Sequence, residues 1–337
     1  MSKIVNIEPL SFPWKTNDPF IFCAYHRDVY PKGNANMGLD SEQFKDRNIG
    51  HDFVMKDGFR MYHGTSIPGF PYHPHRGFET ISINKEGVID HSDSLGAAGR
   101  FMAGDVQWMT AGSGIQHSEM FPLINQDKVN PMEMFQIWLN LPKASKMVEP
   151  HFKMLWKENI PTIEHKDVNG NKTIIDIIAG KIDEITAHSP TPNSWAADYN
   201  NAVGIYTFKM EANAIFTFSK TIPEANRTLF FYKGKSINID GQQIKVNQLV
   251  EFKPDEDLII ENNNEISCFL ILEGKPINEP VVQYGPFVMN TELEIREAMK
   301  DFGKTQFGGW PWKEAEQVHP RNKGRFALHA NGLEENL

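Results

Sequence analysis

Short apolar segments that alternate with polar residues recur along this 337-residue chain, and they constrain its fold more than any other feature. In one of them Phe135, Ile137 and Leu139 alternate with Gln136 and Trp138, the period of two that is typical of a β-strand. Further candidate strands lie at 173–179, 204–210, 213–218, 227–233, 249–252, 258–261 and 266–272. Turn-forming residues separate these segments at intervals of roughly 8 to 12 residues, as in sandwiches and barrels. The chain is therefore expected to be an all-β protein.

One segment near the C-terminus follows a helical pattern instead. Thr291 is a helix-capping residue, and Glu294 three positions later completes a capping box. Apolar residues then recur at roughly helical spacing as far as Phe302, and Gly303 is the expected stop. We predict a helix over 291–302 that packs on the second domain, followed by an aromatic tail that lies on the surface as an extended arm.

The length of the chain predicts two globular domains, because a typical domain contains about 150 residues. We place these domains at 1–150 and 151–290, with the helix and the extended tail at 291–337. The only two cysteines, Cys23 and Cys268, are far apart in the sequence and form no CxxC motif. Their spacing argues against a disulfide framework and against a cysteine-based zinc site.

Charge and hydropathy restrict the partners of the chain. The net charge of −9 argues against a general attraction to nucleic acid or to anionic lipid. No apolar run reaches 18 residues, and the first fifteen residues lack the apolar core of a signal peptide. We expect a soluble, cytoplasmic protein that binds no nucleic acid directly and does not enter a membrane.

Histidines and a glutamate in the N-terminal half form a candidate metal-binding pattern. His73 and His75 stand two residues apart, as do His117 and Glu119, so each pair would lie on one face of a strand. Two antiparallel strands would bring the four side chains to a common point. Because Pro74 removes a backbone hydrogen-bond donor, the first of these strands should be short or lie at the edge of a sheet.

Three imidazoles and one carboxylate suit a divalent metal such as Fe, Mn, Co, Ni, Cu or Zn. Four protein ligands leave one or two coordination positions open on a metal that prefers five or six, as catalysis or substrate binding requires. Histidine pairs at this spacing also arise by chance, so the pattern alone leaves open a purely structural role for these side chains.

The sequence around these residues resembles the pirin family of the cupin superfamily. GFPYHPHRGFET at 69–80 and GDVQWMTAGSGIQHSE at 104–119 resemble its first and second motifs, and QYGPFVMN at 283–290 resembles its C-terminal signature. The resemblance runs from about residue 50 to about residue 303. It implies a bicupin, with two antiparallel cupin β-barrels of which only the N-terminal one binds metal, while the C-terminal one is metal-free.

The resemblance also implies the ligands and the cofactor. One divalent transition metal, Fe(II) in preference to Mn, Ni, Co, Cu or Zn, would be bound by four residues: His73, His75, His117 and Glu119. Many other cupins use a first-motif glutamate, here Glu79, together with a histidine at the position that Ile115 occupies in this chain. We therefore expect Glu119 to be the fourth ligand and Glu79 to orient a ligand imidazole.

Several neighbours of the motifs have expected roles. Arg76 could bind an anionic substrate or form an ion pair with Glu79, and we expect the ion pair. One of the upstream histidines His26, His51 and His63 could enter the pocket, but we expect all three to be surface or loop residues. The apolar side chains available to line the site or to fill the core are Phe70, Phe78, Trp108, Met109 and Phe121.

Two functions follow from the resemblance. The first is a dioxygenase of the quercetin 2,3-dioxygenase type, which opens flavonol-like aromatic substrates with O₂, with Glu119 as the base that takes the proton of the flavonol hydroxyl. The alternative is a non-catalytic regulator that binds a protein partner in response to the metal or its redox state. Such a regulator would be a transcription cofactor or a modulator of a metabolic enzyme.

Overall fold

The computed structural model describes residues 2–337, which form two compact units. Unit I contains the residues up to Cys23, together with Trp138–Asn140 and Glu158–Asn278. Unit II contains Ala24–Ile137, Leu141–Lys157 and Glu279–Leu337. The units interleave along the chain, whereas the domain boundaries predicted at 150 and 290 separate consecutive segments; these boundaries stay a prediction.

Antiparallel strands account for most of the regular structure, as the alternating pattern predicts. In chain order the strands are β1 (Ile4–Pro9), β2 (Phe20–Tyr30), β3 (Gly69–His75), β4 (Phe78–Glu86), β5 (Val88–Asp93), β6 (Ala98–Met102), β7 (Val106–Thr110), β8 (Ile115–Met120), β9 (Asn130–Asn140), β10 (His151–Leu155), β11 (Thr162–Lys166), β12 (Lys172–Ala179), β13 (Lys181–Ile182), β14 (Ile185–Thr186), β15 (Gly204–Met210), β16 (Ile215–Phe218), β17 (Asn226–Lys233), β18 (Ser236–Ile239), β19 (Gln242–Lys245), β20 (Gln248–Phe252), β21 (Leu258–Asn262), β22 (Ser267–Gly274), β23 (Val282–Tyr284), β24 (Phe287–Met289), β25 (Phe326–Leu328) and β26 (Glu334–Asn336). Short 3₁₀ helices lie at Ser41–Phe44, Lys143–Ser145, Trp195–Ala197, Tyr199–Asn201 and Gln306–Gly308. One α-helix, α1 (Glu292–Thr305), is present in the described part of the chain.

Unit I contains a seven-stranded sheet in the order β1-β20-β17-β22-β15-β12-β11 and a four-stranded sheet in the order β16-β21-β18-β19. Strand β1 pairs with β20, so the N-terminal segment completes an edge of a sheet built from the second half of the chain. Alternating residues of the two sheets, such as Phe231, Ile237 and Phe269, are fully buried in a common apolar core. Every strand predicted between residues 173 and 272 is observed, with shifts of one or two residues at its ends.

Unit II contains a six-stranded sheet in the order β26-β25-β6-β5-β8-β3 and most of a five-stranded sheet in the order β10-β7-β4-β9-β2. The first residues of β2, up to Cys23, and the last residues of β9, Trp138–Asn140, are assigned to unit I. Strand β3, which contains Pro74, is at the edge of its sheet, as expected for a strand that lacks one backbone donor. The apolar core of the unit includes Phe101, Met134 and Met154.

Helix α1 begins as predicted but ends later. The Thr291 hydroxyl accepts a hydrogen bond from the Glu294 backbone N–H at 3.2 Å, the expected N-terminal cap. The helix continues through Gly303 to Thr305, and it ends where Gln306 adopts a left-handed conformation with φ of 50°. The predicted stop at Gly303 is therefore wrong, because the residue that leaves the helical conformation stands three positions later.

Helix α1 belongs to unit II, together with the strand at 287–289 against which it packs, and not to the unit that contains most of the segment 151–290. Its buried residues Ile295 and Ala298 pack against Phe287 and Met289 of β24. Strand β24, which precedes the helix, is hydrogen-bonded to another segment of unit II: the Val288 N–H donates to the carbonyl of Arg76 at 3.0 Å. None of the described helices has the length and hydropathy that a membrane-spanning helix requires.

The C-terminal tail is part of the fold, which corrects the expectation of a surface arm. Strand β25 pairs antiparallel with β6, and its residues Phe326 and Ala327 are buried. The fully buried guanidinium of Arg100 donates to the backbone carbonyl of His319 at 2.9 Å and also to those of Pro320 and Lys323. The backbone of the tail thus accepts hydrogen bonds from a buried side chain of unit II, which an arm lying on the surface would not do.

The turn between β3 and β4 depends on Gly77, which has φ of +88°. A Cβ atom there would overlap the carbonyl oxygen of Val288, whereas one at Gly50, with φ of +84°, would meet no atom within 4 Å. We expect G50A to lower the free energy of unfolding by about 1 kcal/mol through backbone strain. G77A should lower it by about 1–3 kcal/mol more, because it adds an overlap. Urea denaturation of both variants checks this, and equal losses would contradict it.

Candidate metal centre

Strands β3 and β8 bring the predicted histidines together. The strands pair antiparallel, with His73 directly opposite His117. A bulge in β3 then places Phe70, and not Pro71, opposite Glu119. Because residues at i and i+2 share a strand face, the two-residue spacing of the sequence pairs is what aims these side chains inward.

His73, His75 and His117 form a compact triad. One potential ligand nitrogen from each lies within 4.8 Å of the others. The ring centroids are 4.7 Å apart for His73 and His75, 4.6 Å for His73 and His117, and 4.9 Å for His75 and His117. His75 and His117 are 2% and 0% exposed, whereas His73 is half-buried and is the triad member with surface exposed to solvent.

The triad is poised in the neutral form that binds metal ions. Burial lowers the pKa of His73 to about 4, and burial together with the neighbouring imidazoles lowers the pKa values of His75 and His117 well below their usual range. The Nδ1–H of His73 donates to the carbonyl of Pro71 at 2.8 Å. This hydrogen bond fixes the tautomer and leaves Nε2 as the atom with a free electron pair.

His117 shows that the site fits a metal ion. Both of its ring nitrogens are buried and have no hydrogen-bond partner within the described residues. A buried polar atom without a partner is costly, and such atoms in native structures usually bind a water molecule or an ion. Imidazole nitrogens are also preferred ligands of the borderline divalent metals. Coordination of a metal would therefore satisfy an atom that these residues leave without a partner.

Glu119 is buried next to the triad, but its carboxylate binds protein groups. The Ser82 hydroxyl donates to Oε1 at 2.5 Å, and the Gln136 side-chain amide donates to Oε2 at 2.6 Å. Burial raises the pKa of Glu119, and the hydrogen bond from Ser82 opposes this shift. Glu119 does not belong to the group whose ligand atoms lie within 4.8 Å of one another. Its role as the fourth ligand stays a prediction.

Glu79 and Arg76 do not interact as expected. Glu79 accepts a hydrogen bond from the Thr110 hydroxyl at 2.7 Å and, by strand alternation, lies on the opposite face of β4 from Ser82. Arg76 pairs instead with Asp301 of α1, at 2.9 Å, and its guanidinium lies over the ring of Phe307. The predicted Arg76–Glu79 ion pair is wrong, because the turn at Gly77 separates the faces of β3 and β4.

The three upstream histidines divide into two classes. His51 and His63 are exposed loop residues, as expected. His26 is buried in β2, where its Nδ1 lies 2.8 Å from the hydroxyl of Tyr62, so its expected surface position is wrong. Burial, with Arg60 nearby, lowers the pKa of His26 to about 3.

The sequence reasoning missed His91, a fourth histidine at the centre. It is fully buried, its ring centroid is 5.6 Å from that of His117, and its backbone is opposite Glu119 across the β5–β8 pair. Its Nε2 lies 3.3 Å from a carboxylate oxygen of Asp93. His91 and Asp93 have the same two-residue spacing as the recognised pairs, so the signal was present in the sequence.

The apolar side chains considered as walls are mostly core residues. Phe78, Trp108, Met109 and Phe121 are buried, and the Phe78 ring packs edge-on against His75. Only Phe70, among these five, is partly exposed; its ring centroid lies 6.3 Å from that of His73. Of these five residues, Phe70 is thus the one that is near half-buried His73 and also has solvent-exposed surface.

Comparison with known proteins relates this arrangement to a family. The family model described as Pirin matches residues 36–139, and the model described as Pirin C-terminal cupin domain matches residues 205–308. Pirin of Rattus norvegicus is 35% identical over 264 residues, an alignment that covers 76% of this chain and 82% of the rat protein. A Pseudomonas aeruginosa protein with the provisional name quercetin 2,3-dioxygenase is 34% identical over 254 residues, which cover 74% of this chain and 84% of that protein.

A solved structure supports the same relationship. The crystal structure of a quercetin 2,3-dioxygenase from Acinetobacter baumannii matches with a TM-score of 0.71 at 25% identity and covers 92% of this chain and 99% of its own. Together with the family matches, this likeness confirms the expected all-β fold with two cupin domains.

Proposed function

Because the chain belongs to the pirin family, we propose that it is a metal-dependent dioxygenase that opens flavonol-like substrates with O₂. The observation that carries the proposal is the buried triad of neutral imidazoles, which has an accessible side. The names of the Pseudomonas and Acinetobacter relatives support the choice of reaction class. In a dioxygenation both oxygen atoms enter the product, so the reaction needs no external reductant.

The metal would be held by His73, His75 and His117, with Glu119 as the fourth ligand. We propose Fe(II) as the resident metal, since a set of imidazole and carboxylate ligands with open positions suits it. When bound, the ion would supply Lewis acidity and a place for the substrate oxyanion. The hydrogen bonds of Ser82 and Gln136 orient the buried Glu119 carboxylate.

Glu119 is also the proposed base. A buried carboxylate with raised basicity can accept the proton of a flavonol hydroxyl as the oxyanion forms. The triad imidazoles cannot take this role without losing the lone pairs that bind the metal. The substrate would approach on the side of half-buried His73, where the ring of Phe70 offers an aromatic contact.

The test is aerobic turnover of a flavonol such as quercetin by the Fe(II)-loaded protein. We expect flavonol absorbance to fall while one O₂ is consumed per flavonol, and we expect chelation of the metal to stop both. E119Q, which keeps the shape but not the basicity of the side chain, should lose most of the activity.

Absence of turnover with Fe, Mn, Ni, Co and Cu would overturn the proposal. A protein that then captures a partner only in one metal oxidation state would support the regulator instead. Turnover that is unchanged in E119Q would leave the dioxygenase but remove Glu119 as its base.

A further inference from the structure

His91 is the buried polar group that the proposed function does not use. It lies on β5, next to β8, with Glu119 opposite its backbone and His117 opposite that of Asp93. By strand alternation, the side chains of His91 and Asp93 therefore face the same side of the sheet as those of Glu119 and His117. This places His91 against the metal centre, beside both a triad imidazole and the predicted fourth ligand.

Asp93 determines the tautomer of His91. The Nε2–H of His91 points to Oδ2 of Asp93 at 3.3 Å, and neither side chain is exposed. The other oxygen, Oδ1, accepts the backbone N–H groups of Leu95 and Ala97, each at 2.9 Å, so the carboxylate cannot turn freely. With the proton of a neutral ring on Nε2, the lone pair is on Nδ1.

The Nδ1 atom of His91 has no hydrogen-bond partner among residues 2–337, although it is fully buried. The plane of the ring is restrained by stacking on Phe152, with a centroid distance of 4.9 Å and an interplanar angle of 9°. The C-terminal tail also contacts β5 at this residue, because the Nε2–H of His319 donates to the His91 carbonyl at 3.0 Å. A buried acceptor held in place without a donor indicates that the donor is not part of the protein.

We propose that His91 is a positioning residue of the metal centre, whose Nδ1 accepts a hydrogen bond from an O–H group bound beside His117 and Glu119. The donor is either a water molecule or the hydroxyl of a substrate, and both present the same chemistry to the lone pair. The substrate form of the proposal rests on the proposed function. The water form does not, because it requires only the metal-bound protein.

Two substitutions of similar shape distinguish the roles of the two ring nitrogens of His91. In H91N the amide oxygen can replace Nδ1 as the acceptor, whereas in H91Q the amide N–H can replace Nε2 as the donor to Asp93 while the acceptor is lost. D93N provides an independent test, because the amide that it introduces would donate to Nε2 and would move the ring proton to Nδ1. The oxygen of that amide can still accept the N–H groups of Leu95 and Ala97.

The experiment uses full-length protein loaded with Co(II), whose visible absorption reports the geometry of the centre. Spectra are recorded without flavonol, and then under anaerobic titration with quercetin, which gives a dissociation constant without turnover. Metal content and thermal unfolding identify variants that have lost the ion or the fold. H165N, which alters a histidine of strand β11 in unit I, is the matched control.

We expect H91Q and D93N to bind one equivalent of Co(II) with a changed spectrum, or to bind quercetin about 10- to 100-fold more weakly, because the bound O–H group would lose its acceptor in a buried site. H91N and H165N should resemble the wild type. A changed spectrum without quercetin identifies water as the donor, and a change only with quercetin identifies the substrate hydroxyl.

The proposal is overturned if folded, metal-loaded H91Q and D93N match the wild type both in the spectrum without quercetin and in the quercetin titration. It is equally overturned if H91N and H91Q change the Co(II) spectrum and the quercetin affinity to the same extent. The effect would then not depend on an acceptor at the position of Nδ1. If the His91 variants do not fold, D93N decides. A wild-type protein that binds no quercetin counts against the proposed function, whereas the spectra without quercetin still decide the role of His91.

Discussion

Replacing His117 by alanine is expected to weaken metal binding by more than about 100-fold, because removal of a ligand should cost more than the 10- to 100-fold loss typical of outer partners. His117 is the triad member with two buried nitrogens and no partner among the described residues. Its ring centroid lies 4.6 Å from that of His73 and 4.9 Å from that of His75, so it contacts both other members of the triad. Metal content after dialysis, measured by elemental analysis, checks the prediction.

E79Q is the matched control for this experiment. Glu79 is as deeply buried as His117, but it lies on the face of β4 away from Ser82 and Glu119. We expect this variant to retain about the wild-type amount of metal. Loss of metal from E79Q together with retention by E119Q would show that the fourth ligand has been assigned to the wrong glutamate.

The strands were predictable because their signal is local. Alternation marks the segment 204–210, and the structure contains a strand over Gly204–Met210. The same rule succeeded for His73 and His117, whose strands are regular where they pair. The rule does not extend from His75 to Glu79, because Gly77 stands between them with a positive φ and interrupts the strand. Parity arguments therefore hold only within one strand.

The positions of the helix and the tail were not predictable, because they depend on contacts between distant parts of the sequence. Helix α1 is capped by local residues, but it packs on β24 in unit II. The tail has little regular pattern of its own, and its course depends on a buried guanidinium far away in the sequence, since the Arg100–His319 hydrogen bond spans 219 positions. Nothing in the composition of the tail indicates such an acceptor role for its backbone.

Replacing Arg100 by leucine is expected to lower the free energy of unfolding of unit II by about 3–5 kcal/mol, because it leaves Asp90 as a buried charge without its partner. The Nε of Arg100 lies 2.7 Å from Oδ1 of Asp90, and neither side chain is exposed. The same substitution removes the donor for the carbonyls of His319, Pro320 and Lys323. We expect a fall of about 10 °C in the melting temperature of the unit, measured by calorimetry.

R227L is the matched control, because Arg227 forms an equivalent buried pair with Glu273 in unit I, also at 2.7 Å. Both variants should be destabilised, but only R100L should release the tail, where trypsin can cleave after Arg321, Lys323 or Arg325. Faster loss of the C-terminal segment in R100L than in R227L, at a temperature where both are folded, would show that the buried pair holds the tail. Equal cleavage rates would mean that β25 and β26 hold it without Arg100, and the His319 contact to β5 would then not depend on this ion pair.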